Sequence, residues 1–327
     1  MSSPHNLSAT VPTANDLGRQ NRPSKHNLAD RLFRYLMYAA SGVSIGILVL
    51  MGWKILEHAA PALKQFGIGF LFGREWNVPD LKFGALPLIY GTLGSSAIAL
   101  LIAIPVGLAV ALITSEDLLP KWLRSSVAFT VELIAAIPSV IFGLWGFYTL
   151  VPLIRPVQEF LHAKFASVPW FSTEPSGFGL LTAGVLLAIM ILPTLAAVSR
   201  EVLLVVPGYL RTGSMALGAT RWETIFRVVL PKAFSGIVGG VMLALGRAFG
   251  ETMAVTMVIG NAATIGPSLF EPAYSIPAIL ANQFAEAQED IHVGALTYLV
   301  LILFVLTLAV NIGALGLVRL VERGEKL

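Results

Sequence analysis

Six long apolar stretches dominate the sequence, and each can cross the roughly 30 Å hydrocarbon core of a membrane as a helix of about 20 residues. Apolar residues make up 56% of the 327 residues and charged residues only 13%, which excludes a single water-soluble core. Because the stretches are continuously apolar rather than alternating, they favour helices over a membrane β-barrel. The sequence therefore predicts an all-α membrane protein, with transmembrane helices at about residues 35–53, 86–112, 126–153, 178–197, 234–259 and 293–318.

Lys and Arg indicate the orientation of these helices. With both termini in the cytoplasm, the tails and connections on that side hold 15 Lys and Arg, against five on the opposite side. Positive residues collect on the cytoplasmic side of membrane proteins, so we expect both termini there. The net charge of +3 then reflects topology rather than binding of nucleic acid. We expect a disordered polar tail over residues 1–30 and one transmembrane domain over 31–327.

A polar, basic segment over residues 200–232, here called the polar segment, separates the fourth and fifth spans. Gly218 is typical of a helix C-cap, where a left-handed backbone costs glycine nothing sterically. Thr220 and Glu223 have the spacing of a capping box, which predicts that a second short helix begins there. We expect Pro231, which has no amide donor, to end that helix and to open the next membrane span.

The second short helix is predicted to be amphipathic. Trp222, Ile225, Phe226 and Val229 recur at helical spacing and predict one apolar face. Two alternatives follow: the helix lies on the lipid surface, or it docks a soluble partner that moves the adjoining membrane helices.

Charged residues inside the apolar stretches are candidates for a polar pathway, because a charge at mid-bilayer costs on the order of 3 kcal/mol on insertion scales. Arg247 and Glu251 are four residues apart, which predicts one helical face directed at the bundle interior. Either they pair with each other, or Arg247 binds an oxyanion while Glu251 orients it or accepts a proton-bearing ligand oxygen. Thr252 adjoins them, and Glu132 in the third span either reaches the membrane surface or joins the pathway.

No constellation typical of an enzyme stands out. The sequence lacks an HExxH pair, cysteine and any Gly-Lys dipeptide, which argues against a zinc protease, a thiol nucleophile and a P-loop. If the protein drives uphill transport, energy enters through another subunit. A membrane scaffold or sensor without transport, and a membrane enzyme of another type, remain as alternatives.

Residues 218–231 carry a family resemblance. The spacing of Gly218, Val228, Leu230 and Pro231 resembles the cytoplasmic coupling loop of ABC-importer permeases. Thr212, Gly213 and Ser214 stand where that loop opens with Glu-Ala-Ala, so its acidic residue is absent. The resemblance implies a type I permease fold and a set of ATPase-coupling residues: Gly218, Ala219, Thr220, Arg221, Trp222, Glu223, Leu230 and Pro231.

Three further stretches narrow the resemblance. Residues 83–93 (FGALPLIYGTL), 137–146 (IPSVIFGLWG) and 247–261 (RAFGETMAVTMVIGN) are similar to the PstC-type permeases of bacterial phosphate importers. The continuation after residue 252 favours the C-type over the sister A-type permease, which stays an alternative together with a permease for molybdate or sulfate.

The resemblance implies a non-catalytic subunit in the bacterial cytoplasmic membrane that imports inorganic phosphate by alternating access. It implies a PstA-like sister permease, two copies of a PstB-like ATPase that bind ATP and Mg²⁺, and an external phosphate-binding protein. This chain itself is expected to hold no cofactor or metal. Phosphate would bind along a path that contains Arg247, Glu251, Thr252 and Glu132.

Overall fold

The computed structural model describes the backbone of residues 26–324 and the side chains of residues 30–320. Residues 1–25 of the predicted tail lie outside the described residues, and helix α1, His26–Phe66, begins directly after them. The described residues up to Lys54 form one unit, and those from Ile55 onward form a second unit, which contains Arg247 and the polar segment.

After α1, a short helix α2 (Gly69–Phe72) precedes a hairpin of β1 (Trp76–Asn77) and β2 (Lys82–Phe83), antiparallel with Trp76 opposite Phe83. The helices that follow are α3 Leu86–Ser115, α4 Lys121–Ala135, α5 Ser139–Trp145, α6 Val151–Phe165, α7 Leu180–Val205, α8 Gly208–Ala216, α9 Arg221–Thr224, α10 Leu230–Gly250, α11 Met253–Val258, α12 Ile276–Gln283 and α13 Asp290–Gly324. π-helical turns at Gly146–Leu150 and Ile225–Val229 join α5 to α6 and α9 to α10.

Six helical segments in the described part of the chain are long and apolar enough to cross a membrane. They are Asp30–Phe66, Leu86–Ser115, Ser139–Phe165, Leu180–Val205, Arg221–Gly250 and Asp290–Leu320. The predicted all-helical class with six membrane spans is therefore confirmed.

The third predicted span is not one continuous helix. Helix α4 ends at Ala135, and Pro138 precedes α5 with an extended backbone, φ −60° and ψ 143°. Proline has no amide hydrogen to continue α4 and disfavours a helical residue before it, so the helix breaks there. The structure corrects the predicted span of 126–153: the membrane-length segment begins after the break, at Ser139.

The fifth predicted span is also corrected at both ends. Pro231 does not end a helix. The π-helical turn Ile225–Val229 precedes it, in which the Leu230 amide donates to the Ile225 carbonyl five residues back, and the helix continues through Pro231 into α10. Helix α10 then ends at Gly250, nine residues before the predicted boundary, and Glu251 has an extended backbone before α11 begins. A membrane helix broken at Glu251 replaces the predicted continuous one.

Helix α7 lies at the centre of the helical core. It packs along α3 and α10, and glycines at these contacts bring the backbones close together. A Cβ atom on Gly184 would lie 2.5 Å from Ile98 Cγ2, and one on Gly236 would lie 2.4 Å from Val202 Cγ1. Close packing of this kind is what holds helices together in lipid, where no hydrophobic force drives their association. Both candidate sites contact α7.

Candidate functional site

Arg247 lies at the contact between α10 and α7. Its Nη1 donates a hydrogen bond to Thr194 Oγ1 at 3.2 Å, and both side chains are part-buried. Because the two helices pack side by side, this bond holds the guanidinium against the bundle and leaves its other N–H donors free to bind an anion. The structure therefore places the predicted pathway cation next to Thr194, which the sequence did not suggest.

A groove of about 630 Å³ opens beside Arg247. Its polar lining consists of Thr194, Arg247 and Asn311, and the last of these projects from α13. The remaining lining residues are Gly239, Met242, Leu243 and Gly246. Within the described residues no acidic side chain lines the groove, so its only charge is positive and it fits an anion.

Glu251 and Thr252 do not share a helical face with Arg247, because α10 ends at Gly250. Glu251 Oε1 instead accepts a hydrogen bond from the Ala254 amide at 3.2 Å, which satisfies a free donor in the first turn of α11. Thr252 Oγ1 donates to the Gly250 carbonyl at 3.1 Å. Among the described residues no ion pair joins Arg247 to Glu251. The predicted shared face and self-pairing are therefore wrong.

Glu132 lies apart from the groove. It is exposed on α4 and lines a separate small cavity of about 50 Å³ together with Arg200 and Glu201 of α7. Arg200 Nη1 lies 3.5 Å from Glu201 Oε1, while its Nε is buried without a hydrogen-bond partner. The structure thus places Glu132 beside Arg200 and Glu201, at the start of the polar segment, rather than beside Arg247.

The turn between α8 and α9 has the geometry that the sequence predicts. Gly218 has φ +93°, its amide donates to the Met215 carbonyl, and the Ala219 amide donates to the Ser214 carbonyl. These two bonds form a Schellman motif, which ends α8 at a left-handed glycine. The C-cap prediction is confirmed.

The capping box that starts α9 is also present. The Glu223 amide donates to Thr220 Oγ1 at 3.3 Å, and the Thr220 amide donates to Glu223 Oε2 at 2.8 Å. Both helix ends at the tip of the polar segment are therefore capped by their own local residues. Arg221 adds one longer contact, because its Nη1 donates to the Asp117 carbonyl at 3.1 Å.

The predicted apolar face of the second short helix is divided in two. Ile225 and Val229 are buried against the bundle, whereas Trp222 and Phe226 are exposed. The two exposed rings, here called the aromatic pair, stack with centroids 6.1 Å apart. Exposed aromatic residues on a polar segment are typical of a binding surface.

Arg211 joins the polar segment to two membrane helices. Its guanidinium makes a bidentate ion pair with Glu116, which directly follows α3, with a shortest distance of 2.7 Å. It also donates to the carbonyls of Leu203 and Val206 at 2.8 and 2.6 Å, at the end of α7. Cations suit a helix C-terminus, where the carbonyls have no partners in the helix. We call this set of contacts the Arg211 clamp.

The sequence did not identify four residues of these sites. Asn311 could have been predicted, since it is a lone amide within an apolar run, and such residues in membrane helices face the protein interior. Thr194, Glu116 and Arg211 carried no signal, because their roles depend on pairs of residues far apart in the chain.

Comparison with known proteins assigns the family. A family profile for the inner membrane component of binding-protein-dependent transport systems matches residues 103–326, more than half of the chain. The chain belongs to this family. The match includes Arg247, Asn311, the polar segment and the Arg211 clamp, so every site described above lies in the part that defines an inner membrane component.

Relatives within the family are similar over most of their length. The phosphate transport system permease protein PstC of Mesorhizobium japonicum is 46% identical over 288 residues, which cover 86% of this chain and 87% of the relative. The PstC protein of Pasteurella multocida is 43% identical over 305 residues, which cover 92% and 95%. A more distant relative, a probable PstC of Methanocaldococcus jannaschii, is 36% identical over 287 residues, which cover 86% and 90%.

Solved structures show the same fold. A bacterial alginate ABC transporter, crystallised with its alginate-bound periplasmic protein, matches with a TM-score of 0.56 at 19% identity, covering 88% of this chain and 94% of that chain. The inward-facing MetNI methionine ABC transporter matches with a TM-score of 0.52 at 20% identity, covering 73% and 94%. The predicted ABC-importer permease fold is therefore confirmed, and the chain is a multi-pass membrane component.

Proposed function

We propose that this protein is the C-type permease subunit of an ATP-driven importer that carries inorganic phosphate across the bacterial cytoplasmic membrane. The groove beside Arg247 is the observation that supports this role, because its described lining presents one part-buried guanidinium and no carboxylate to a passing anion. Relatives that are 43–46% identical over most of the chain are named for phosphate transport, which favours phosphate over molybdate or sulfate and the C-type over the A-type permease.

Arg247 suits a transport pathway, from which the anion must be released, better than a site that retains the anion. A guanidinium binds two oxygens of a phosphate at once, and the contact strengthens away from bulk water. Since the groove holds a single cation and is open, the anion can leave again. Glu251 contributes by capping α11 and thereby fixing the chain directly after Arg247, and Thr252 lies at the same break.

The polar segment is the proposed contact with the ATPase. Its tip is held by the Schellman motif and the capping box, and it presents the aromatic pair outward. ATP binding to two partner ATPase subunits, which hold the nucleotide and Mg²⁺, would move this segment and switch the groove between outward and inward access. A sister permease completes the passage, and an external binding protein delivers phosphate. The bias of 15 Lys and Arg against five favours a cytoplasmic position for the polar segment and both termini.

Uptake of labelled phosphate tests this function. The importer is reconstituted into vesicles with the sister permease, the ATPase and the binding protein, with ATP on the ATPase side. We expect Arg247→Gln to abolish uptake, because glutamine keeps the hydrogen bonding but loses the charge, while the complex still assembles and hydrolyses ATP. Normal uptake by this variant would contradict the role of Arg247. Uptake of sulfate or molybdate instead of phosphate by the parent complex would contradict the substrate.

A further inference from the structure

We propose that Asn311 determines which oxyanion the groove accepts, by receiving a hydrogen bond from the proton that phosphate carries and sulfate lacks. The inference rests on the proposed function and concerns the same groove. Asn311 lies on α13, across the groove from Arg247 and Thr194.

The orientation of the Asn311 amide follows from its neighbour. Its Nδ2 donates a hydrogen bond to the Thr307 carbonyl, one turn earlier in α13, at 2.9 Å. A carbonyl only accepts, so the amide nitrogen rather than its oxygen must face Thr307. The amide oxygen Oδ1 is therefore held on the other branch of the side chain, and no described residue donates a hydrogen bond to it.

The groove otherwise offers an anion mainly donors. The Arg247 guanidinium has no acceptor atom, and Thr194 Oγ1 accepts a hydrogen bond from Arg247 Nη1. Among the polar side chains of the groove's described lining, Asn311 contributes the acceptor oxygen that receives no hydrogen bond. An acceptor with nothing to receive repels an unprotonated oxygen, whereas a P–O–H group satisfies it.

Phosphate near neutral pH keeps at least one proton, and sulfate keeps none. Bound to Arg247 through two oxygens, a phosphate can direct its P–O–H at Asn311 Oδ1. Sulfate in the same position would place a bare oxygen against that atom. The sequence suggested Glu251 as the acceptor of such a proton, but Glu251 does not line the groove and its Oε1 is engaged by the Ala254 amide. Asn311 therefore takes the place predicted for Glu251.

A single cysteine can report anion binding, because the chain has no cysteine of its own. Leu243 lines the groove and is exposed, so Leu243→Cys places a thiol beside the anion. Its modification by a methanethiosulfonate reagent is followed by mass spectrometry of this subunit in the purified complex, over a range of inorganic phosphate or sulfate concentrations at constant ionic strength. We expect phosphate to protect the thiol at about tenfold lower concentration than sulfate, the size of one net hydrogen bond.

Asn311→Leu in the same background separates the proposal from a structural effect. We expect this variant to need about tenfold more phosphate for half-protection and the same or a lower concentration of sulfate, so that the preference for phosphate disappears. A purely structural change would shift both anions together. The control is Thr297→Val, whose hydroxyl bonds to the Val293 carbonyl within α13 and does not line the groove.

Two results would overturn the proposal alone: equal protection by the two anions in the parent protein, or an unchanged preference in Asn311→Leu while phosphate uptake persists. If the parent complex neither takes up phosphate nor is protected by it, the proposed function fails as well. The preference in the parent protein and its loss in Asn311→Leu, with Thr297→Val unchanged, would establish Asn311 as a specificity-determining residue.

Discussion

Removal of the Arg211 clamp is the sharpest test of how the polar segment is held. Helix α8 has no fully buried residue. Its half-buried Leu210 packs against the apolar cluster around Leu203, and Arg211 supplies its ion pair and hydrogen bonds to the ends of α3 and α7. Arg211→Met keeps the length and the apolar stem of the side chain and removes its charge and donors. Glu116 then loses its partner, the Val206 carbonyl loses the hydrogen bond from Arg211, and the Leu203 carbonyl keeps only the bond from the Val206 amide.

The expected loss follows from burial. Removing one partner of a fully buried ion pair costs about 3–5 kcal/mol. The side chains of Arg211 and Glu116 are 20% and 12% exposed, and solvent screening at that exposure lowers the figure to about 3 kcal/mol. A change of that size in the free energy of local opening raises the equilibrium constant for opening by about 100-fold.

Hydrogen exchange measured by mass spectrometry reads this opening directly, because amides exchange when their helix opens locally. Peptides that cover residues 208–217 are expected to exchange about 100-fold faster in Arg211→Met than in the parent protein. Arg227→Met is the matched control, since Arg227 is exposed on the same segment, and it should change the rate by less than about twofold. Equal rates in the two variants would refute the reasoning.

Combining Arg211→Met with Glu116→Leu tests whether the pair itself is responsible. The double variant leaves no unpaired buried charge, so it should recover a large part of the loss, because an apolar pair replaces a buried ion pair at little cost. A double variant that opens as fast as Arg211→Met alone would show that the carbonyl contacts, rather than Glu116, hold α8.

Two further substitutions address the contact with the ATPase. Gly218→Val should destabilise the turn by about 1–2 kcal/mol, because φ is +93° and no atom lies within 4 Å of a Cβ there, so the strain is purely in the backbone. We expect this variant to lose part of the ATPase on purification and Gly218→Asn to lose less. Full retention of the ATPase by Gly218→Val would count against the role of the turn. Trp222→Glu removes half of the aromatic pair without disturbing the core, so thermal stability should hold while the ATPase is released; coupled hydrolysis in this variant would favour the lipid-surface alternative.

Local features of the polar segment were predictable from the sequence because their partners are adjacent. The capping box of Thr220 and Glu223 needs only a spacing of three residues, and Gly218 needs only its own backbone freedom. The Arg211 clamp was not predictable, since Arg211 and Glu116 are 95 residues apart and meet only when α3 and α7 pack.

The candidate pathway was predicted in part for a similar reason. A charge inside an apolar run identifies Arg247 as a residue that must find a polar surrounding, and the structure gives it one. Its relation to Glu251 depended on the helix continuing past Gly250, and helix ends within an apolar run leave little trace in hydropathy. Thr194 and Asn311 come from two other helices, so only the packing of α7, α10 and α13 brings them to Arg247.

Helix α7 connects the contact of Arg247 with the contact of Arg211. Thr194, which holds Arg247, and Leu203, whose carbonyl receives Arg211, lie nine residues apart on one unbroken helix, about 13 Å along its axis. This stretch of helix moves along its axis as one rigid piece, because its backbone hydrogen bonds resist compression. A displacement of the polar segment that Arg211 transmits to Leu203 therefore reaches Thr194, and through it Arg247, along one continuous helix.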